Sequence, residues 1–243
     1  MTEKAKNPFR LEIQNLIEVE DLPGLLKKTG ELHGHHCSYS AYGVVAGLYG
    51  ITKMGITNIG MEEIVAIVET NNCFADGIQM VTGCSFGNNS LIYRDYGKTA
   101  VTFISKRDGK AIRLVLDPEF EDSREQAYPE AFELFHKLVA RREQGTPDDF
   151  ARLMELFAQM SFEELNVPVE KMFRIEEVHV EIPAFAPIFD SVKCAKCGES
   201  VMKTRVVAKD GQPYCIPCAG ESFFELNGSG MSYRGRKGDV APS

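Results

Sequence analysis

Two Cys-x-x-Cys pairs near the end of this chain constrain its folding more than any other feature. The pairs are Cys194/Cys197 and Cys215/Cys218, and the valines and the Asp-Gly step between them are typical of a hairpin. Each pair places two thiolates on one tight turn, and a hairpin brings the two turns together as a tetrahedral sulfur site. Four thiolates leave no open position. The sequence therefore predicts a structural zinc that stabilises a segment too small for a core of its own.

Other interpretations of these cysteines remain open. A thioredoxin-type redox pair needs one Cys-x-x-Cys and leaves the second pair unexplained, whereas a rubredoxin-type iron site uses the same four ligands. The chain has seven cysteines and starts without the apolar stretch of a secretory signal, which favours metal ligands over disulfides in a reducing compartment. We therefore predict a cytoplasmic protein.

Charge and hydropathy narrow the classes of partner. The net charge of -8 at pH 7 argues against nucleic acid, because phosphate binding needs a clustered positive field. No apolar run reaches the roughly eighteen residues of a membrane span, so we predict no membrane partner.

A second motif, His33-Gly34-His35-His36-Cys37, predicts another metal site. In an extended loop, alternate side chains point the same way, so His33, His35 and Cys37 share one side and His36 points away. Helical periodicity begins at Ser38, and the amino end of a helix stabilises a thiolate. Imidazole and thiolate together suit zinc or another transition metal.

A third motif follows the Asn-Asn turn at 71–72, where a helix is predicted over 73–82. Cys73, Asp76 and Gln79 recur at three-residue steps and lie on one face of that helix. We predict that Cys73 completes the cleft site, that Asp76 accepts a proton or orients a ligand, and that Gln79 donates a hydrogen bond. The simpler alternative makes Cys73 a small core residue. Cys84 either lines the same cleft or is buried.

The pattern along the chain predicts an α+β fold, with helices packed on a largely antiparallel sheet and a small C-terminal zinc-ribbon domain. Helices are expected over 11–30 (with a break near Pro23), from Ser38, and over 73–82, 124–143 and 147–160. Strands are expected over 64–69, 91–95, 100–105, 111–116 and 173–182, the middle three as an antiparallel meander.

Several of these motifs occur in the order found in one family. His33-Gly34-His35-x-Cys37, Cys73-x-x-Asp76-x-x-Gln79, Thr82-Gly83-Cys84 and Asp95-Tyr96-Gly97-Lys98 resemble the FmdE family, which is named for the E component of formylmethanofuran dehydrogenase. The resemblance covers roughly residues 16–110, and a ribbon-like extension in that family carries it to Cys218. The family pattern continues with Pro-Gly after the first cysteine, whereas this chain has Ser38-Tyr39.

The resemblance implies a cleft lined by the His/Cys loop and the Cys-x-x-Asp helix, a homodimer, and a link to molybdenum or tungsten formylmethanofuran or formate chemistry. We accordingly expect a core domain over 1–186, a zinc ribbon over 187–226 and a flexible tail over 227–243.

For function, His35, Cys37 and Cys73 would hold a zinc-like ion, with His33 a further ligand and one position open for water or a substrate oxygen. A small one-carbon or pterin-related ligand suits the family, although the residues do not decide between an enzyme and a binding protein. One alternative is an accessory protein that delivers metal or cofactor to a molybdenum or tungsten oxidoreductase. Another is a redox or iron–sulfur protein that uses Cys37, Cys73 and Cys84.

Overall fold

The computed structural model describes residues 7–58 and 60–235. The chain divides into two compact units, Met1–Pro183 and Ala184–Ser243. Within the described residues, no helix combines the length and apolar character needed to cross a membrane.

The larger unit contains one five-stranded sheet in the order β2-β1-β3-β4-β5. Its strands are β1 (Ile64–Val68), β2 (Leu91–Tyr93), β3 (Ala100–Ser105), β4 (Ala111–Leu116) and β5 (Phe173–Glu177). Every neighbouring pair is antiparallel except β1 and β2. The predicted α+β class with a largely antiparallel sheet is therefore confirmed.

The predicted meander of the three middle strands is wrong. Strand β2 pairs in parallel with β1, where Ala66 lies opposite Leu91, and it does not pair with β3. All five residues of β1 are buried, as expected of a central strand. The connection after β2 crosses the end of β1, where Lys98 N donates to Glu69 O at 3.1 Å, and this places β3 on the other side of β1.

Eight helices of the larger unit are described: α1 (Leu11–Glu18), α2 (Leu22–His33), α3 (Ser38–Met54), α4 (Phe74–Thr82), α5 (Pro118–Ala127), α6 (Pro129–Phe135), α7 (Pro147–Glu164) and α8 (Val169–Met172). The helix predicted over 124–143 begins earlier, because Asp117 caps it through a 2.9 Å bond from Glu119 N. It is interrupted at Pro129, which lacks an N–H for the helical ladder, and residues His136–Ala140 form a π-helical turn.

Helices α3 and α4 pack with their backbones in close contact. A Cβ atom on Gly43 would lie 2.2 Å from the carbonyl oxygen of Phe74, and one on Gly77 would lie 2.5 Å from that of Ser40. One turn later, Gly47 faces Val81. Because the contacting positions rise together along both helices, the two run in the same direction. Their amino ends, and the cysteines that precede them, therefore lie at the same end of the unit.

Apolar side chains fill both faces of the sheet. The helices cover one face, where Phe74, Phe103 and Leu114 are fully buried. On the other face, a small cluster that includes Val65, Ile67, Ile104 and Ala111 packs against Val178 and Val180, which follow β5. Because both of its faces are packed against apolar side chains, the sheet is a rigid support for helices α3 and α4.

The smaller unit is built from three hairpins: β6 (Ser191–Lys193) with β7 (Ser200–Met202), β8 (Val206–Lys209) with β9 (Gln212–Cys215), and β10 (Phe223–Asn227) with β11 (Gly230–Arg234). A one-turn helix, α9 (Ile216–Ala219), follows β9. The hairpin predicted between the two cysteine pairs is confirmed. Its Asp210-Gly211 turn has positive φ angles of 52° and 73°, as a two-residue type I′ turn requires.

A flexible tail was predicted over 227–243, but residues 227–234 of it belong to the third hairpin. The Gly and Ser residues after Asn227 form its turn, and the Phe224 and Tyr233 rings pack across the strands with centroids 5.0 Å apart. Residues 236–243 of the predicted tail lie outside the described residues.

We predict that Gly77→Ala destabilises the protein by about 1–3 kcal/mol, because the new methyl group meets backbone atoms that cannot move away. This loss occurs despite the higher helix propensity of alanine. Urea unfolding followed by circular dichroism measures it. In Gly47→Ala the new methyl meets a side chain, Val81, at 3.0 Å, so we expect a smaller loss. Equal losses in both variants would contradict the close backbone contact.

Candidate metal centre

The His/Cys loop is shaped by the end of one helix and the start of the next. Helix α2 ends at His33, and Gly34 adopts the left-handed conformation with φ of 91°. Cys37 then has extended φ and ψ angles of -151° and 160° as the N-cap of α3. The segment is therefore not the extended loop that was expected. The end of α2 and the left-handed turn at Gly34 bring His33, His35 and Cys37 to face one point.

Cys73 reaches the same point from the start of α4. Suitable ligand atoms of His33, His35, Cys37 and Cys73 all lie within 4.8 Å of one another. The structure thus brings together the four cleft residues selected from the sequence. Metal binding by them stays a prediction.

The two cleft thiols differ in their electrostatics. A hydrogen bond from the Cys73 thiol, and further ones from Ser40, lower the pKa of Cys37 to about 5, although burial opposes this shift. Cys37 N donates to Ser40 Oγ at 3.2 Å, which completes a reciprocal cap with the Cys37 side chain. The pKa of Cys73 is raised by its bond to Cys37 and by burial. Cys37 is therefore the thiol of the pair that loses its proton more readily.

Asp76 and Gln79 lie behind His33. The Nδ1 atom of His33 is 2.7 Å from Asp76 Oδ2, and Gln79 Nε2 donates to Asp76 Oδ1 at 3.0 Å. The Nε2 atom of His33 is buried and has no hydrogen-bond partner among the described residues. A carboxylate on one imidazole nitrogen with a free nitrogen beside two thiols is the arrangement found around bound transition metals. These donors therefore fit such an ion.

Two other residues of the motifs lie elsewhere. The His36 ring packs edge-on against Phe162, with centroids 5.2 Å apart. Cys84 follows Gly83, the residue that ends α4, and its buried thiol donates to Ile64 O at 3.6 Å. Cys84 is therefore at the opposite end of α4 from Cys73. The suggestion that it lines the cleft is wrong, and the iron–sulfur set of Cys37, Cys73 and Cys84 is not assembled.

Tyr39, the second of the two residues that stand where the family has Pro-Gly, connects the start of α3 to helix α5. The Tyr39 hydroxyl donates to the Glu121 carboxylate, and burial, followed by that bond, raises the pKa of Tyr39 to about 12. The guanidinium carbon of Arg124 lies 5.6 Å from the centroid of the Tyr39 ring and 5.2 Å from that of Tyr42. Tyr39 therefore stays protonated and holds α5 against the segment that follows Cys37.

A buried ion pair extends this connection to α7. Arg124 Nε donates to Glu164 Oε1 at 2.8 Å, and their side chains are only 8% and 3% exposed. The pair was not predicted, because two opposite charges forty positions apart leave no local signal in the sequence.

We predict that Arg124→Met costs about 3–5 kcal/mol of stability, because it leaves the Glu164 carboxylate buried without a partner. The double variant Arg124→Met/Glu164→Leu should recover most of that loss. The matched control is Arg152→Met, which breaks an exposed 2.8 Å pair with Glu130 and should cost far less stability, because solvent screens that pair. Equal effects of the two single variants in urea unfolding would show that Arg124 is not buried as described.

The second cysteine cluster is in the smaller unit. Ligand atoms of Cys194, Cys197, Cys215 and Cys218 lie within 4.8 Å of one another, and Cys197 Sγ is 3.9 Å from Cys215 Sγ. Zinc–sulfur bonds of about 2.3 Å would place tetrahedral sulfurs about 3.8 Å apart. Backbone N–H groups of Cys197 and Cys215 lower the pKa of Cys194 to about 6, which favours the ligating thiolate. The four thiols thus match a closed sulfur site.

Two family models match the chain, one in the larger unit and one in the smaller unit. The model described as FmdE, molybdenum formylmethanofuran dehydrogenase operon, matches residues 32–174, more than half of the chain. The chain belongs to the FmdE family. A model of the prokaryotic dksA/traR C4-type zinc finger matches residues 187–222, which include all four ribbon cysteines.

Individual relatives were also found. The chain is 42% identical over 214 residues to a probable S-adenosyl-L-methionine-binding protein of Archaeoglobus fulgidus, covering 86% of this chain and 56% of that protein. This FmdE-family chain thus spans little more than half of that relative. A crystal structure of a tungsten formylmethanofuran dehydrogenase FmdE-like protein from Syntrophus aciditrophicus aligns with 22% identity and a TM-score of 0.46, over 90% of this chain and 97% of that one.

We predict that Cys215→Ser removes one zinc equivalent and unfolds the smaller unit, because three thiolates no longer close the site. Elemental analysis and amide hydrogen exchange over 184–235 measure both effects. Cys84→Ser, which alters a cysteine outside either cluster, should retain the zinc. Full zinc content in Cys215→Ser would argue against the four-sulfur site.

Proposed function

We propose that His33, His35, Cys37 and Cys73 hold a transition-metal ion, and that this centre binds or transforms a small one-carbon or pterin-related ligand. One observation carries the metal proposal: the buried Nε2 atom of His33 has no partner among the described residues, yet its ring is oriented by Asp76 beside two thiols. A buried nitrogen without a hydrogen bond is costly unless something else binds it. A metal ion satisfies that nitrogen and both sulfurs together.

The four proposed ligands differ in burial and in how well their side chains are oriented. Cys37 is buried, Cys73 and His33 are half-buried, and His35 is exposed. The His35 ring contacts that of His33, with centroids 4.4 Å apart, but among residues 7–58 and 60–235 no hydrogen bond like the one between Asp76 and His33 orients it. Four protein ligands would close a tetrahedral site, whereas reactive sites keep one position open. We therefore assign His35 as the exchangeable ligand that gives way to water or to a substrate oxygen.

Asp76 acts as a positioning residue in this proposal. Both of its oxygens are engaged, Oδ2 with His33 and Oδ1 with Gln79, so the carboxylate has little capacity left to accept a proton from substrate. Its carboxylate fixes the orientation of the imidazole ring, so that the Nε2 atom faces the proposed ion. Gln79 in turn fixes the carboxylate. A bound ion would supply Lewis-acid polarisation of a carbonyl oxygen and a lowered pKa for bound water.

The ligand class rests on the family alone. Its description names the molybdenum formylmethanofuran dehydrogenase operon, which supports a one-carbon or pterin-related ligand and an oxidoreductase partner. We do not propose S-adenosylmethionine, which is named for the Archaeoglobus relative, as a ligand of this chain, because the chain spans only 56% of that protein. From the family resemblance we also propose a cytoplasmic homodimer.

A second candidate is an accessory protein that delivers metal or cofactor to a molybdenum or tungsten oxidoreductase. The exposed His35 favours it, because an accessible ligand is the natural point of attack for a receiving site. In that case the zinc ribbon would serve as the docking module. Capture of a tightly held oxidoreductase component by the tagged full chain would support this role over an enzyme.

We predict that Asp76→Asn weakens metal binding in the cleft by about 10–100-fold, since the amide cannot hold and polarise His33 as a carboxylate does. Competition with a chromogenic chelator measures the affinity in the full chain. Asp122→Asn, the same change at an exposed position on α5, should have no effect.

Cys37→Ser tests the centre itself. It should remove one metal equivalent while leaving the ribbon zinc in place, because the serine hydroxyl is a far weaker ligand than a thiolate. Undiminished metal content in Cys37→Ser would overturn the proposal.

A further inference from the structure

A cavity of about 280 Å³ lies in the larger unit, at the end of α4 opposite the metal centre. Val81 and Thr82, the last residues of α4, form part of its wall. The side chains of Arg10 and Gln14 also line it, and neither has a role in the proposed metal chemistry. The cavity is therefore a separate candidate for ligand binding.

Arg10 has unused donors at this cavity. Its Nη2 atom donates to the carbonyl oxygens of Met80 at 2.7 Å and Val81 at 2.9 Å, which stabilises the carboxyl end of α4. Within the described part of the chain, Nε and Nη1 make no hydrogen bond and no carboxylate pairs with the guanidinium. Burial disfavours the charged form of Arg10 and lowers its pKa, so an anionic group placed at these donors would stabilise the guanidinium.

Gln14 offers a second unused donor. Its side chain is on a residue only 8% exposed, and Oε1 accepts a bond from Asn7 N at 3.2 Å. The Nε2 atom is buried and without a partner among the described residues. The neighbouring amide of Asn58 is used at both ends, by Thr82 O at 2.7 Å and Gly60 N at 2.8 Å. The hydrogen-bonding groups of Arg10 and Gln14 that remain unused are therefore all donors. Such donors suit a negatively charged acceptor group.

The other residues that line the cavity limit the hydrocarbon part of a ligand and its total charge. Ile17, Ile51 and Ile56 provide aliphatic surface. The exposed Glu18 and Glu20 also line the cavity, and their carboxylates disfavour a second negative charge on the ligand.

We propose that this cavity binds a small aliphatic monocarboxylate. Its carboxylate contacts Arg10 and Gln14, and its hydrocarbon chain lies along the isoleucine wall. Binding here is independent of the proposed metal function.

Isothermal titration calorimetry of the full chain with isocaproate tests the proposal. Isohexanol lacks the carboxylate and its charge-assisted hydrogen bonds, so it should bind at least about tenfold more weakly. Adipate carries a second carboxylate, which adds repulsion, and it should also bind at least about tenfold more weakly. No binding of isocaproate by the full chain, or equal binding of the alcohol, would overturn it.

Gln14→Glu is the decisive variant. It keeps an acceptor for Asn7 N–H but replaces the donor with a carboxylate oxygen, so isocaproate should bind at least about tenfold more weakly. Gln14→Met, which removes the donor without adding charge, provides a second readout should Gln14→Glu fold poorly. Unchanged affinity in a folded variant contradicts the site.

A reciprocal control separates this proposal from the metal centre. Gln14→Met should keep its full metal content, and Cys37→Ser should bind isocaproate with unchanged affinity. Loss of isocaproate binding in Cys37→Ser would show that the two sites are not independent.

Discussion

The close parallel packing of α3 and α4 is the constraint on which the candidate site depends. Glycines at 43 and 77 let the two backbones approach to distances that a methyl group would block. Because the helices run in the same direction, their amino ends meet, and Cys37 and Cys73 precede those ends. The unpaired N–H groups and the helix dipoles concentrate positive potential there, which stabilises thiolate. The same contact brings the first turn of α4, with Asp76, next to the last residue of α2.

Helix α4 has a different chemical character at each end. Its amino end carries the thiol and the carboxylate of the proposed metal centre, whereas its carboxyl end is held by the guanidinium of Arg10. This distribution of charge agrees with the polarity of the helix, which favours anions at its start and cations at its end. One short helix, buried against the sheet through Phe74, Ile78 and Val81, therefore supports two separate polar sites.

The two units are stabilised by different means. The larger one buries aliphatic and aromatic side chains on both faces of its sheet, and it tolerates a buried ion pair between Arg124 and Glu164 because each charge has a partner. The smaller one consists of hairpins of three to five residues per strand with many exposed apolar side chains. Such a segment has too small a core to be stable by burial alone, and its four clustered thiols match the C4 zinc finger whose family model covers it.

Local sequence determined the features that depend on neighbouring residues: the turn at Asp210-Gly211, the helix stop at Gly83, and the helix starts after Cys37 and Cys73. Backbone preferences and short spacings decide these. Only the tertiary structure decided the parallel placement of β2 beside β1, the burial of Cys84 away from the cleft, and the pairing of Arg124 with Glu164. Those outcomes depend on contacts between residues far apart in the chain, where many alternatives have similar local preferences, and packing in three dimensions selects among them.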